Sequence, residues 1–158
     1  MLKPASLRAL LLQTVPGLAA APERLALFTD KGKVRCRATG NLAFEYAYTL
    51  NLVIEDYAGD VDGIFVPLLA WIERNEPELM KREPQEPFDF ECEILDTDHA
   101  DVSINVELTE RVLMKPVAGG LVAVHLPEPA FVDEFDGVGR PLLLRLLLGD
   151  DVVAEHRD

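Results

Sequence analysis

Asp98, His99 and Asp101, and again Asp56, Asp60 and Asp62, set hard donors a few residues apart, the kind of group that takes Mg2+ or Ca2+. Neither cluster has the spacing of an EF-hand loop or an HExxH pair, and Asp alone suffices to form turns and cap helices. Turn formation and capping is the reading adopted for both, with divalent binding left open. The only serines, Ser6 and Ser103, fall on a predicted helix and a predicted strand, and neither stands in a Gly-x-Ser-x-Gly turn. Cys36 and Cys92 are the only cysteines; both sit on strand-like alternations, form no metal-type pair, and are expected as reduced thiols packed in the core of a cytoplasmic protein. His125 and His156 stand alone near strand ends and read as surface or edge residues. Gly119, Gly120, Gly137 and Gly139 belong to no phosphate-cradling sequence ending in Lys-Ser or Lys-Thr. Trp71 and the tyrosines follow core periodicities without interleaved Lys or Arg, which argues against base stacking. No catalytic residue, cofactor or metal is therefore assigned.

The 158 residues suit one domain able to bury a sizeable core. Hydrophobic residues make up 49% and charged residues 27%, an ordinary globular composition, and no apolar run approaches the ~20 residues of a membrane span. A soluble protein without a membrane partner is expected. The opening Met1 to Leu18 has a basic residue and an apolar stretch like a weak secretory signal, but Pro4, Arg8 and Gln13 interrupt it, so it reads as a helix. A net charge of −13 argues against wrapping nucleic acid, which needs clustered Lys and Arg. The acidity fits a solvating surface, a DNA mimic, or a wall past which DNA slides without sticking.

The elements that must carry these residues are organised around Ala43 to Tyr57. Phe44, Tyr46, Tyr48, Leu50, Leu52 and Ile54 alternate there with Glu45, Thr49, Asn51 and Glu55 between them, the period of a strand with one buried face. Fully extended it would reach about 50 Å, so it should bend, carry a bulge, or project from its domain towards a partner. Before it, Leu7, Leu10, Leu11 and Val15 give helical spacing between Pro4 and Pro16-Gly17. Leu25–Thr29 and Val34–Ala38 flank Asp30-Lys31-Gly32-Lys33, which predicts a hairpin. After it, an acidic N-cap near Asp60 to Asp62 opens a buried helix over Ile64–Arg74 with Pro67 near its first turn, and a second short helix runs through Met80. Residues 88–94 and 102–108 predict two half-buried strands paired antiparallel, and 121–126 a further short strand. The fold class expected is α+β: one mostly antiparallel sheet with helices on one face, in a core of residues 1–126. Residues 127–141, rich in Pro, Gly and acids, read as a linker. Residues 142–158 read as a C-terminal hairpin turning at Gly149-Asp150, with Leu142–Leu148 apolar on both faces, so that one face is left for a neighbouring subunit.

Several blocks, taken in order, resemble the phage tail completion protein R (GpR) family of contractile-tailed phages and prophages. They are Met1-Leu2-Lys3-Pro4 with Ser6-Leu7-Arg8, Phe44-Glu45 with Tyr48-Thr49-Leu50-Asn51, then Asp56, Gly59 and Asp60. Val66-Pro67, Leu69-Ala70-Trp71, Asn75 and Pro77 follow, and Leu108-Thr109-Glu110-Arg111 closes the series. The resemblance spans nearly the whole chain, is weakest over residues 115–140, and differs in detail in the tail.

The resemblance implies a non-enzymatic structural protein of the virion tail, present in the host cytoplasm during assembly. It implies a tail terminator: a ring, commonly of six subunits, that caps the head-proximal end of the tail tube, stops its growth and permits head-tail joining. Implied partners are copies of the chain, tail tube and sheath proteins, and head-neck connector proteins, with DNA passing the lumen without specific binding. An overlong strand and a two-faced hairpin suit such a closed ring. Six copies carry a formal charge near −78, six times −13, and the share lining the lumen would repel DNA. The residues expected at subunit contacts are Leu143, Arg145, Leu147 and Val153 of the hairpin, and Glu45, Thr49 and Asn51 on the outer face of the long strand. The competing classes are another neck or baseplate component, an acidic DNA-mimic inhibitor, and a metal-dependent hydrolase using one of the Asp clusters.

Overall fold

The computed structural model describes residues 1–36, Gly40 and 42–128, together with the backbone of Arg145–Leu148 and Asp151–Glu155. Helix α1 (Lys3–Thr14) starts with Pro4 in its first turn, where the missing N–H costs nothing, and buries Leu7 and Leu11. Strands β1 (Leu25–Cys36) and β2 (Phe44–Tyr57) follow, then helix α2 (Asp62–Asn75) and a short 3-10 turn over Pro77–Met80. Strands β3 (Asp89–Ile94), β4 (Ala100–Val117) and β5 (Gly120–His125) complete the sheet. The order across it is β1-β2-β4-β3, all antiparallel, and β5 extends β4 beyond β3 along the same side. The chain is an α+β domain, and its two helices cover one face of this sheet.

The alternation read in β2 is the register of the core. Tyr48, Leu50, Leu52 and Ile54 face Leu108, Val106, Ile104 and Val102 on β4, and all eight are buried with Leu7, Leu11, Ile64, Leu68, Trp71 and Ile72. These pairs form because period-two side chains on neighbouring strands share one face.

Several expectations are corrected. Residues 25–36 form one strand, not a hairpin: Lys31 adopts a positive φ of 51°, one extra residue bulges between Asp30 and Lys33, and pairing with β2 then resumes. The long strand β2 does carry a bulge, between Ile54 and Tyr57 where Asp56 has φ 52°, but it does not project alone. It is central, its 14 residues paired with β1 of 12 residues on one side and β4 of 18 on the other. Val61, with no side-chain cap, precedes α2; Asp60 stands one position earlier and accepts the Asp62 N–H at 2.9 Å. Pro67 lies in the second turn of α2 rather than its first, and is buried. Strand β3 is exposed along its whole length instead of half-buried, and Cys36 and Cys92 are exposed, because both lie on outer strands that the helices do not cover over. Strand β4 runs nine residues past Leu108, since Glu110 and Val112 continue its buried face.

Strands β6 (Arg145–Leu148) and β7 (Asp151–Glu155) pair antiparallel, with Val153 the unpaired residue of a bulge. The turn at Gly149-Asp150 and Leu143 lie outside the described residues, as do His156 and all but Pro127 and Glu128 of the linker. The backbone of β7 runs beside α2 and α1.

Candidate assembly surface and its polar anchor

The alternation of β4 places a carboxylate, Glu110, on the buried face between Leu108 and Val112, at 5% exposure. Its oxygens accept the Tyr48 hydroxyl at 2.7 Å, the Tyr46 hydroxyl at 3.0 Å, and the Leu2 and Lys3 backbone N–H groups at 2.8 and 3.4 Å. The last two are free donors at the start of α1, so a strand side chain caps the helix that covers it. Burial by itself would raise the Glu110 pKa, but these hydrogen bonds, led by the Leu2 N–H and the Tyr48 hydroxyl, outweigh it and hold the carboxyl below its usual value of 4.5. The same contacts act oppositely on the phenols. Burial first, and then Glu110, push Tyr46 up to about 12 and Tyr48 higher still. His125 Nδ1 stands 3.2 Å from Glu110 Oε2 without hydrogen-bond geometry, and the ring meets Tyr46 edge-on.

A second buried carboxylate, Glu76 at the end of α2, closes the stretch of β4 that lies between β3 and β5. It accepts the Thr109 N–H and hydroxyl, both at 2.9 Å, and the Lys3 ammonium at 2.6 Å. Lys3 also reaches Glu128 at 2.8 Å. Within the helix layer, Trp71 Nε1 donates to Ser6 Oγ at 3.1 Å and Asn75 donates to the Trp71 carbonyl at 2.9 Å. Gly59 is required by a close approach, since a Cβ there would lie 2.5 Å from the Tyr57 hydroxyl oxygen. Met1 to Pro4, Ser6, Tyr48, Trp71, Asn75 and Leu108 to Arg111 were separate blocks in the sequence; the fold gathers them around one helix-to-sheet joint.

The carboxylates of this network are saturated by donors. The two aspartate clusters are also occupied: Asp96 Oδ1 accepts the Asp98 and His99 N–H groups at 2.8 and 2.9 Å, and Asp101 accepts the Asp56 N–H at 2.8 Å. The first of these contacts, with His99 beside it, lowers the Asp96 pKa. Asp56 pairs with Arg24 at 2.8 Å. Among the described residues no group of three or more His, Cys, Asp or Glu is placed to hold a metal ion, and no helix is long and apolar enough to cross a membrane.

What the molecule does offer is sheet edge. Among the described residues no strand pairs with the outer side of β1 or, across the sheet, of β3 and β5, and these edges carry apolar side chains outside the core. Val34 is 69% exposed and Ile94 79%, with Phe28, Phe90, Leu121 and Val122 also exposed. Phe90 meets Phe65 of α2 at a ring separation of 4.7 Å. Glu45, Thr49 and Asn51 do share one face, the one opposite the helices, where they are half-buried between Arg35, Asp30 and Phe28 of β1 and Arg111, Glu107 and Asn105 of β4. Asn51 Nδ2 is buried there without a hydrogen-bond partner. Arg145, Leu147 and Val153 belong to the hairpin whose strand β7 runs beside the helices, so the fold does not bring the two sets together.

Glu76, and the joining role of Glu110, were missed from sequence. Glu110 had a readable signal, since it continues the buried parity of Val102, Ile104, Val106 and Leu108 into Val112. Glu76 had none, as its partner Thr109 is brought to it only by the fold.

No solved structure matches the chain. A curated relative, the tail completion protein R of Escherichia phage P2, is 38% identical over 131 residues, covering 82% of this chain and 84% of the relative. The family model described as P2 phage tail completion protein R (GpR) matches residues 1–129, which contain both helices, the whole sheet and the polar anchor just described. The chain belongs to the P2 phage tail completion protein R family, a family of structural phage tail proteins.

Proposed function

We propose that this protein completes the tail by closing into a ring of about six copies on the head-proximal end of the tail tube. There it stops tube growth and presents a surface for joining the head. The observation that carries this reading is the pair of free sheet edges, β1 and β3, on opposite sides of one rigid sheet: identical subunits with two different edges associate head to tail and close when the rotation allows. Tube and sheath proteins on one side and head-neck connectors on the other are the partners of such a ring. It would sit in the virion tail after assembly in the host cytoplasm, and acids lining its lumen would let DNA pass without adhesion. The mechanism is geometric and needs no catalytic group.

Light scattering behind size exclusion, with negative-stain images of the peak, tests the reading, first on the purified protein and then with tail tubes added. Rings of about six subunits support it; a chain that stays monomeric at every concentration and also fails to cap tubes removes it. The C-terminal hairpin supplies a contact between neighbours, through Leu143, Arg145, Leu147 and Val153. Removing residues 142–158 should leave a folded domain that no longer forms rings, and a truncated chain that still forms them would eliminate the hairpin's part.

A further inference from the structure

We infer that copies of this chain join by edge pairing of β1 in one with β3 in the next, Lys33 and Arg35 facing Glu93 and Glu91 while Val34 and Cys36 face Cys92 and Phe90. The inference rests on the ring reading and deepens it by naming the contact. It starts from two strands of matching pattern. On β1, Lys33 and Arg35 point to the sheet face away from the helices, and Val34 and Cys36 to the helix side, as their partners Ala47, Glu45, Tyr46 and Phe44 require. On β3, Asp89, Glu91 and Glu93 point away from the helices, and Phe90, Cys92 and Ile94 to the helix side. Both segments are exposed on both faces.

Strand direction agrees. Each step in the order β1-β2-β4-β3 is antiparallel, so β1 and β3, with two strands between them, run oppositely. A second copy rotated about an axis tilted from the strands, with its strands kept in line with the first, therefore presents β1 to β3 in antiparallel sense with the same face outward. One joined sheet would then have an apolar row on the helix side and alternating acids and bases on the other.

Charge decides between this and the self-pairings. Joining β3 to β3 would set Asp89, Glu91 and Glu93 against their own copies, and joining β1 to β1 would do the same with Lys33 and Arg35; like charges directly opposite each other are destabilising. Edge charges ordinarily keep a sheet from pairing at all. Here the two edges carry opposite signs, so each refuses itself and admits the other. Among the described residues Lys33 and Arg35 make one ion pair, Arg35 with Glu45 at 3.7 Å, and the three acids of β3 make none.

The register also implies a step. Arg35 is level with Glu45 of β2, whereas Glu91 is level, through Ser103, with Val53. Consecutive copies are then displaced by about eight residues, or ~26 Å, along the strands. Such a stagger is what tilts strands when a sheet closes on itself.

The two native cysteines provide the test. In this register Cys36 and Cys92 of adjacent copies form a diagonal cross-strand pair, about 7–8 Å apart. A short bis-maleimide added to the full chain, alone and on tail tubes, should give a ladder of linked species beyond the dimer, lost in Cys36→Ser and in Cys92→Ser. The double variant Lys33→Glu/Arg35→Glu, and separately Glu91→Lys/Glu93→Lys, should each lose the ladder and the rings. An equimolar mixture of the two should regain both, since each then meets a complementary edge, which also shows that the variants fold. Linkage that stops at the dimer, or a ladder indifferent to both charge reversals, overturns the proposal. Rings that form without a Cys36–Cys92 link overturn this contact and leave the ring reading standing, whereas no oligomer in solution or on tubes overturns both.

Discussion

Leu52 on β2 and Val34 on β1 lie on the same face of the same sheet, yet the first is fully buried and the second 69% exposed. The difference is the reach of the helices. Helices α1 and α2 cover the middle of the sheet, where β2 and β4 meet; they leave the Cys36 end of β1 exposed, and β3 stays exposed even where Phe65 of α2 meets Phe90. Alternation states which face a side chain takes; it does not state whether anything lies on that face. The covered region folds the chain, and the uncovered region is left for what the chain joins.

Substitutions should separate the two regions. Leu52→Ala opens a cavity in the covered part and is expected to cost about 3 kcal/mol of stability, whereas Val34→Ala should change it by no more than about 0.5 kcal/mol. Denaturant titration of both variants measures this, and equal effects would break the distinction. Glu110→Ala tests the joint between helix and sheet. It removes the acceptor of two tyrosine hydroxyls and of the α1 N-terminus, and should cost about 2–3 kcal/mol. A Glu110→Ala chain as stable as the parent would show that the network adds nothing to the fold.

Acid should act through the same carboxylate. Because the folded-state pKa of Glu110 lies below its usual 4.5, the stability it confers is complete above that value and is lost as pH falls from 4.5 through the lowered folded value. Stability measured between pH 6 and pH 3 should therefore fall more steeply in the parent than in Glu110→Gln, and parallel curves would count against the assignment. A smaller loss than at Glu110, about 1 kcal/mol, is expected at Ser6→Ala, from loss of the acceptor for Trp71 Nε1.

Much of the covered region was legible in the sequence. The period of two over Phe44–Ile54 and Val102–Leu108 named the facing rows of the core, and the spacing of Leu7 and Leu11 named the helix face laid on them. The cysteines misled because the same period at Val34–Cys36 and Phe90–Ile94 was read as burial. Asp30-Lys31-Gly32-Lys33 misled because turn residues also make bulges: Lys31 takes the left-handed conformation of a turn, but the strand continues through it. The blocks that resembled the family were visible one by one, and their meeting around Glu110 was not, since Leu2 and Glu110 are 108 residues apart.

By itself the sequence determined the elements, the apolar rows and the strongly acidic balance, because these depend on local period and composition. Only the tertiary structure decided that β2 is enclosed between β1 and β4, that Glu110 and Glu76 lock the first helix to the sheet, and that β1 and β3 are the outer strands, of opposite charge, among the described residues. Those outcomes depend on which residues distant in the chain become neighbours, and on how far two helices extend over a sheet, and neither is a property of any local stretch.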